Sequence, residues 1–338
     1  MGARDFPHRM GGHCASACLR DLLEHHRLSY ADAPPREGMA FGLASGLGFG
    51  FGELPGLVPP LLVTGRPVDL EHWFCRNLGL EYELRQTDDR DEARELLRAE
   101  VQGGRPTMIW TDMKQLGYLN VRMHNTHHTV VVVDWDEDGD AAWVVDNDRE
   151  EPQRVPLAAL AEARDADVPP YGPNRNGTWL IDFPAALPDL ERTTATALRR
   201  AVANMRAPDD PRLGLAGVLA FGRAYPTWGE RSGDDLEAMM KGLRVFVVKA
   251  GTGGALFRGL HRDFLRDAAG MLGDDDLRAA ADLYAELAEA WERLAAPLDD
   301  EPAADAHRAR MPLVERIVRL EEAGVAAIEA WTGARVSA

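Results

Sequence analysis

Gly11-Gly12-His13-Cys14-Ala15-Ser16-Ala17-Cys18-Leu19-Arg20-Asp21-Leu22-Leu23 is the stretch on which the reading of this chain turns. From Cys14 to His26 the spacing predicts a helix with Leu19, Leu22 and Leu23 on one face. The two glycines ahead of it permit a tight turn and a close approach to the backbone. Cys14 therefore starts a helix, where unpaired backbone N–H groups and the positive end of the helix dipole meet. Both favour thiolate over thiol, and the same N–H groups suit an oxyanion at an attacked carbonyl. A nucleophile and a small buried helix-start cysteine fit this position equally well. Cys18, one turn on, and Cys75, in an apolar helical pattern, read as core.

Two later residues complete a set. His128 stands directly before Thr129-Val130-Val131-Val132-Val133, a buried strand that would hold its ring rigidly. Asp146 ends the next strand, Trp143-Val144-Val145, and the acidic stretch 136–140 reads as the hairpin turn between the two. Such a hairpin brings Asp146 to His128, where a carboxylate fixes the imidazole tautomer and leaves the other ring nitrogen for Cys14. Nucleophile early, histidine on a later strand and acid on the following strand is the papain-like order. His128 rather than His127 is the expected base, since neighbouring strand residues point to opposite faces. A metal site built from His124, His127 and His128 would need a helix, which Asn125, Thr126 and the valine run oppose. His124 and His127 read as the edge of a loop. His8 is a candidate for completing the oxyanion site, by its spacing before Cys14.

Further out, short strands and helices alternate up to residue 187, and helical patterns dominate from 188 onward. The expected fold is α+β: a papain-like cysteine peptidase/acyltransferase domain over 1–187, then an all-α bundle of five or six helices over 188–338. Leu277, Ala280, Tyr284, Leu287, Trp291 and Leu294 form one buried stripe, and Leu313, Ile317, Leu320, Gly324, Ala327 and Trp331 another. The glycine-rich stretch 38–56 lacks the strand and helix of a dinucleotide fingerprint and reads as a packed loop near the active site. Gly251-Thr252-Gly253-Gly254 reads as an inter-helix hinge, with anion binding the lesser alternative.

Composition bounds the partners. The 338 residues carry a net charge of −17, which disfavours general nucleic-acid or anionic-membrane binding. No apolar run reaches the ~20 residues of a membrane span, and residues 1–12 contain no secretory apolar region. An odd count of 3 cysteines argues against a disulfide framework, and a cytoplasmic protein is expected.

Gly12-His13-Cys14 with its helix, Met39-Ala40-Phe41-Gly42-Leu43, the segment from Asp112 to Tyr118, the His128 strand and Asp146 resemble the N-terminal domain of the butirosin biosynthesis protein H family. The helix from Val155-Pro156-Leu157 to Ala163-Arg164 continues the likeness. Gly251-Thr252-Gly253-Gly254-Ala255-Leu256-Phe257-Arg258 resembles the helical domain of unknown function that follows it in that family. Asp134 departs from the pattern, which has glycine there. The resemblance implies a papain-type acyl transfer from an acyl-carrier-protein thioester to a small amine acceptor. Cys14, His128 and Asp146 would form its triad, and no metal or other cofactor would be needed beyond the donor's phosphopantetheine. The same triad also fits a thioester or amide hydrolase or peptidase, and the fold fits a non-catalytic binding module. Gly12 and His13 would border the substrate. Asp112, following the strand 106–111, is the candidate carboxylate for a cationic acceptor, an exposed loop aspartate being the alternative. Arg258, Arg262 and Arg266, at four-residue intervals on one predicted helix, are expected to form a docking face for an acidic carrier protein. A solvated stripe paired with Asp263 and Asp267 is the alternative.

Overall fold

The computed structural model describes residues 2–335 except 55, 57, 137, 170, 171, 207, 208 and 300. In chain order its elements are α1 (Cys14–His25), α2 (Glu37–Leu43), β1 (Gly50–Glu53), β2 (Leu61–Thr64), α3 (Leu70–Leu78), β3 (Glu81–Arg85) and α4 (Arg90–Gln102). Then come β4 (Thr107–Thr111), β5 (His128–Asp136), β6 (Ala141–Val145), β7 (Gln153–Pro156), α5 (Leu157–Arg164), β8 (Asp167–Val168), β9 (Gly172–Pro173) and β10 (Thr178–Asp182). Six long helices follow: α6 (Leu190–Arg206), α7 (Gly214–Thr227), α8 (Gly233–Arg244), α9 (Arg258–Leu272), α10 (Asp275–Leu294) and α11 (Ala303–Ala334). The chain is mixed α/β and 54% helical. It divides into two compact units: residues 1–37 with 79–187, and residues 38–78 with 188–338.

The first unit is built on a six-stranded sheet of order β3-β10-β4-β5-β6-β7, with every neighbouring pair antiparallel. Val130, Val131, Val132 and Val133 of β5 are all buried. Such a continuous apolar run belongs to a strand covered on both faces. Leu97 and Val101 of α4 and Leu157, Leu160 and Ala163 of α5 share a core with Ile109, Val130, Val132, Ala142 and Val144 of the sheet. Helix α1 packs along β5 as well. The expected hairpin forms, with Val131 opposite Val145 and a register shift between Val132 and Asp134. Its turn includes Glu137, which lies outside the described residues. Asp134 sits at this shift and accepts the Ala3 amide at 3.3 Å, so its charge serves the N-terminal segment.

In the second unit the glycine-rich stretch corrects an expectation. It is not a single packed loop. It forms α2 and β1, and residues 38–78, which chain order leaves in the first part, pack with the helices. The reason is steric: a Cβ on Gly42 would lie 1.9 Å from the Phe264 ring, so glycine lets α2 close on α9. The α10 stripe is buried as expected. In α11 Ile317, Gly324 and Trp331 are buried as expected, while at the other three stripe positions burial falls one residue on, at Val314, Glu321 and Ile328. Glu321 belongs to the stripe because it pairs with a buried cation: Arg258 donates from Nε to Oε1 at 2.8 Å and from NH2 to Oε2 at 3.0 Å.

That pairing overturns the docking face. Arg258 is 0% exposed, and its NH1 donates to the carbonyls of Gly48, Gly65 and Leu256, each at 3.0 Å. Positions four apart rotate by about 40° around a helix, so Arg258 and Arg266 stand about 80° apart, Arg258 turned to the interior and Arg266 exposed. Arg262 instead pairs with Asp263 at 2.8 Å, and Arg266 lies 3.8 Å from Asp282. The Gly251–Gly254 loop turns into α9 through positive φ at Gly251, Gly253 and Gly254, with the Thr252 hydroxyl donating to the Val247 carbonyl.

His261, also in α9, is buried against Tyr284, with ring centroids 4.5 Å apart. Burial, aided by the Arg258 charge, pushes its pKa down from 6.5 to about 3. Unfolded chains bind a proton at this imidazole near pH 6.5, while the folded unit refuses it. Its contribution to stability is therefore full above pH 6.5 and declines as pH falls toward 3, by about 1.4 kcal/mol per pH unit. His261→Phe is expected to flatten the loss of urea stability between pH 6.5 and 4 relative to the parent. Parallel curves would show that the ring is not kept neutral.

Candidate active site

Gly11 is tied to the acid-bearing loop: its N–H donates to the Asn147 carbonyl at 2.9 Å, and Asn147 Nδ2 donates back to the Gly11 carbonyl at 3.3 Å. His13 is the N-cap of α1, its Nδ1 lying 3.4 Å from the Ser16 amide nitrogen. Cys14 follows at the first helical position, half-buried. His128 opens β5 and Asp146 follows β6, so the hairpin places them 2.8 Å apart, Nε2 to Oδ2. Because Nε2 faces the carboxylate, Nδ1 is the nitrogen left for the hydrogen bond that His128 shares with the Cys14 thiol. Cys14, His128 and Asp146 are thus brought together.

The electrostatics of the three agree. Burial alone would push the Cys14 thiol up, but the charge of His13 and hydrogen bonds from His128 and His13 outweigh it and hold the thiol well below its ordinary value. Burial would likewise lower His128, but the Asp146 charge and hydrogen bond, with Cys14, raise it well above 6.5. Asp146 is fully buried, which raises a carboxyl. The His128 charge and hydrogen bond, the Tyr118 hydroxyl and the Asp148 amide reverse this and keep it low. The two shifts favour a thiolate beside an imidazolium, and the titration belongs to the pair rather than to either residue.

This sets a pH dependence. A lowered thiol pKa means thiolate persists well below the ~8.5 of an ordinary cysteine. Alkylation of Cys14 by iodoacetamide is expected to show its inflection below that value, and His128→Ala to move the inflection up. An inflection at the ordinary position in the parent would contradict the ion pair.

The remaining sequence candidates have other employment. Cys18 is buried, with its thiol pushed well up chiefly by desolvation and its Sγ 3.5 Å from the Thr129 carbonyl. Cys75 is buried and likewise raised. His127 adopts positive φ, stacks on Trp110 with centroids 4.2 Å apart, and lies 3.2 Å from the Pro173 carbonyl. His124 Nδ1 is 2.7 Å from Asp112 Oδ2. Among the described residues no group of three or more His, Cys, Asp or Glu is arranged to hold a metal.

Three assignments change. Asp112 is 0% exposed, and its Oδ1 accepts the Asn125 amide at 2.8 Å while Oδ2 faces His124, so it braces the loop after β4 rather than meeting a cationic acceptor. His8 is committed at both nitrogens, to Asp21 at 2.6 Å and the Arg149 carbonyl at 2.7 Å, and completes no oxyanion site. The amides of Gly12 and His13 do not face a substrate either: they donate to the Glu37 carboxylate at 2.7 and 2.9 Å.

Residues 13–147 match the family described as Butirosin biosynthesis protein H, N-terminal, and residues 158–328 match the Domain of unknown function DUF4872. The chain carries a butirosin biosynthesis protein H N-terminal domain followed by the DUF4872 domain, whose model spans half of its length. No curated protein matches it. The butirosin H region begins one residue before Cys14 and ends one after Asp146, so it encloses all three clustered residues. It also encloses two contributors that the sequence reading missed. Tyr118 donates its hydroxyl to Asp146 Oδ2 at 2.7 Å, and burial beside that carboxylate pushes its phenol well up, so it stays a donor. Glu37 is the other. An acid at a helix start is ordinary, and no spacing signals its reach to Gly12. Tyr118 lay within the family-like segment from Asp112 onward, which was the signal available.

Proposed function

We propose that this chain is a papain-like cysteine acyltransferase acting in biosynthesis, moving an acyl group from a thioester to an amine. The observation that carries the reading is the relay Cys14–His128–Asp146, with thiolate and imidazolium both favoured at the start of a helix. In the cycle, Cys14 Sγ attacks the thioester carbonyl and forms a carbon–sulfur bond. The tetrahedral species collapses, breaking the donor's carbon–sulfur bond, and His128 gives its proton to the leaving thiol. The neutral imidazole then takes a proton from the attacking amine. Collapse of the second tetrahedral species releases the amide and restores the Cys14 thiolate beside imidazolium. Asp146, held by Tyr118, keeps the ring in the orientation both steps need. With the Gly12 and His13 amides bound to Glu37, the proposed oxyanion donors are the first-turn amides of Cys14 and Ala15. The donor is proposed to carry its acyl group on the phosphopantetheine of a carrier protein. No docking face is assigned to that partner.

The test is intact-protein mass spectrometry after incubation with N-acetylcysteamine thioesters, then with amines. An acyl adduct mapped to Cys14 that amines discharge as amide supports the reading. Discharge by water alone, at a rate amines leave unchanged, would make the chain a thioesterase. Absence of an adduct on Cys14 with any thioester would end the proposal.

A further inference from the structure

The nucleophile carries a second polar chain, on the side away from Asp146. Glu37 Oε2 accepts the Gly12 amide at 2.7 Å, and Oε1 accepts the His13 amide at 2.9 Å and the Ser16 hydroxyl at 2.8 Å. Ser16, 0% exposed, in turn lies against the His13 ring: its Oγ is 3.3 Å and its N–H 3.4 Å from His13 Nδ1. One carboxylate thus grips the backbone of the turn before Cys14 and, through Ser16, the imidazole beside the sulfur. Gly11 is part of the fit, because a Cβ there would stand 2.9 Å from Glu37 Oε2 and 2.5 Å from the Ala17 Cβ.

We propose that Glu37 is a positioning residue for the nucleophile, fixing the Gly12–His13 turn so that the His13 ring is held against the Cys14 thiol. This rests on the reading of Cys14 as the reactive cysteine. A carboxylate near a thiolate is electrostatically unfavourable for that thiolate, so charge proximity alone gives no reason for it to be there. Its value lies in geometry. Two adjacent backbone N–H groups and one hydroxyl converge on it, and hydrogen bonds to an ionised acceptor are short and strong. Ser16 has one proton, which goes to Glu37, and this fixes the rotamer in which its oxygen faces His13. His13, so oriented, stands directly before Cys14, where its charge favours the thiolate alongside His128. Two imidazoles then act on the sulfur, one anchored through Asp146 and the other through Ser16 and Glu37.

Glu37→Gln, Ser16→Ala and His13→Ala test this through the pH profile of iodoacetamide alkylation, with the modified residue located by mass spectrometry and thermal stability recorded beside it. Replacing the carboxylate by an amide offers one acceptor oxygen where three donors converge, so the turn loosens and His13 leaves the sulfur. The expected result for Glu37→Gln is an alkylation inflection moved to higher pH and acylation about tenfold slower at neutral pH, on the scale of one lost charge-assisted hydrogen bond. Ser16→Ala, which keeps both amide contacts, should shift the inflection in the same direction by less. Combining Glu37→Gln with His13→Ala should shift it no further than His13→Ala alone, because residues acting through one another do not add. Simple charge removal predicts the opposite movement for Glu37→Gln, to lower pH. That result, or additive shifts, or a fall in thermal stability with the profile unmoved in both Glu37→Gln and Ser16→Ala, overturns the proposal. Alkylation located on Cys18 or Cys75 instead would overturn the nucleophile assignment, a separate failure.

Discussion

Cys14→Ala and His128→Ala are each expected to lower thioester-to-amine turnover by about 10⁶, and the double variant by no more than either alone. The reason lies in how the charges are shared. The thiolate is stabilised by the imidazole that later protonates the leaving group, so removing one partner removes the function of the other. Neither substitution should unfold the chain. Alanine suits a first helical position, and Cys14 is half-buried, so little packing is lost. His128→Ala leaves Asp146 with Tyr118 and the Asp148 amide. Cys18→Ala and Cys75→Ala should retain turnover, since burial raises both thiols and removes them from chemistry. Rates with a saturating thioester decide the matter. Losses that multiply in the double variant would mean that the two residues act independently, and residual activity in Cys14→Ala would reassign the nucleophile.

Glu321→Ala carries the second large expected effect, a loss of about 3–5 kcal/mol from the stability of the helical unit. Arg258 would remain in the interior with its charge uncompensated, and Trp291 Nε1 would lose its acceptor, Glu321 Oε1, at 3.0 Å. Three carbonyls would still accept from Arg258, but only one functional group in this cluster carries the opposite charge. Chemical denaturation followed by tryptophan fluorescence reads the change, because Trp291 and Trp228 are buried in this unit. The paired replacement Arg258→Met with Glu321→Leu should lose less than Glu321→Ala, since it removes both charges at once. A cost below about 1 kcal/mol for Glu321→Ala would show that the pair is solvated as a surface bridge would be.

These results bear on how much could be read from the sequence. The helix at Cys14 and the strand after His128 were legible because glycines punctuate one and a valine run marks the other. The hairpin followed from a short acidic turn between two apolar runs, and with it the meeting of His128 and Asp146. Charged residues were where the reading failed. Arg258 and Asp112 were taken as accessible groups and Glu321 was passed over, because an unpaired charge is costly to bury, yet each has partners outside its own turn of chain that make burial tolerable. The shift of the α11 stripe has the same origin, since a pattern search for apolar residues skips Glu321. Glu37 was invisible for another reason: its ligands are backbone amides, which carry no sequence signature. The glycine-rich stretch was read as one packed loop, yet it forms α2 and β1, and at Gly42 the missing side chain is room for the Phe264 ring of α9.

The hairpin also sets a timetable. His128 and Asp146 are separated by 18 residues and meet as soon as two adjacent strands zip together, a local closure of small entropic cost. Cys14 must be recruited from the other end of the unit. On a ribosome the cysteine emerges first and waits, for the time needed to make β5 and β6, as an ordinary protonated thiol. Its proposed reactivity requires α1 to pack along β5, a closure over a longer stretch of chain than the hairpin. Under the proposed chemistry, Cys14 therefore becomes a nucleophile only in a chain whose His128–Asp146 hairpin has formed.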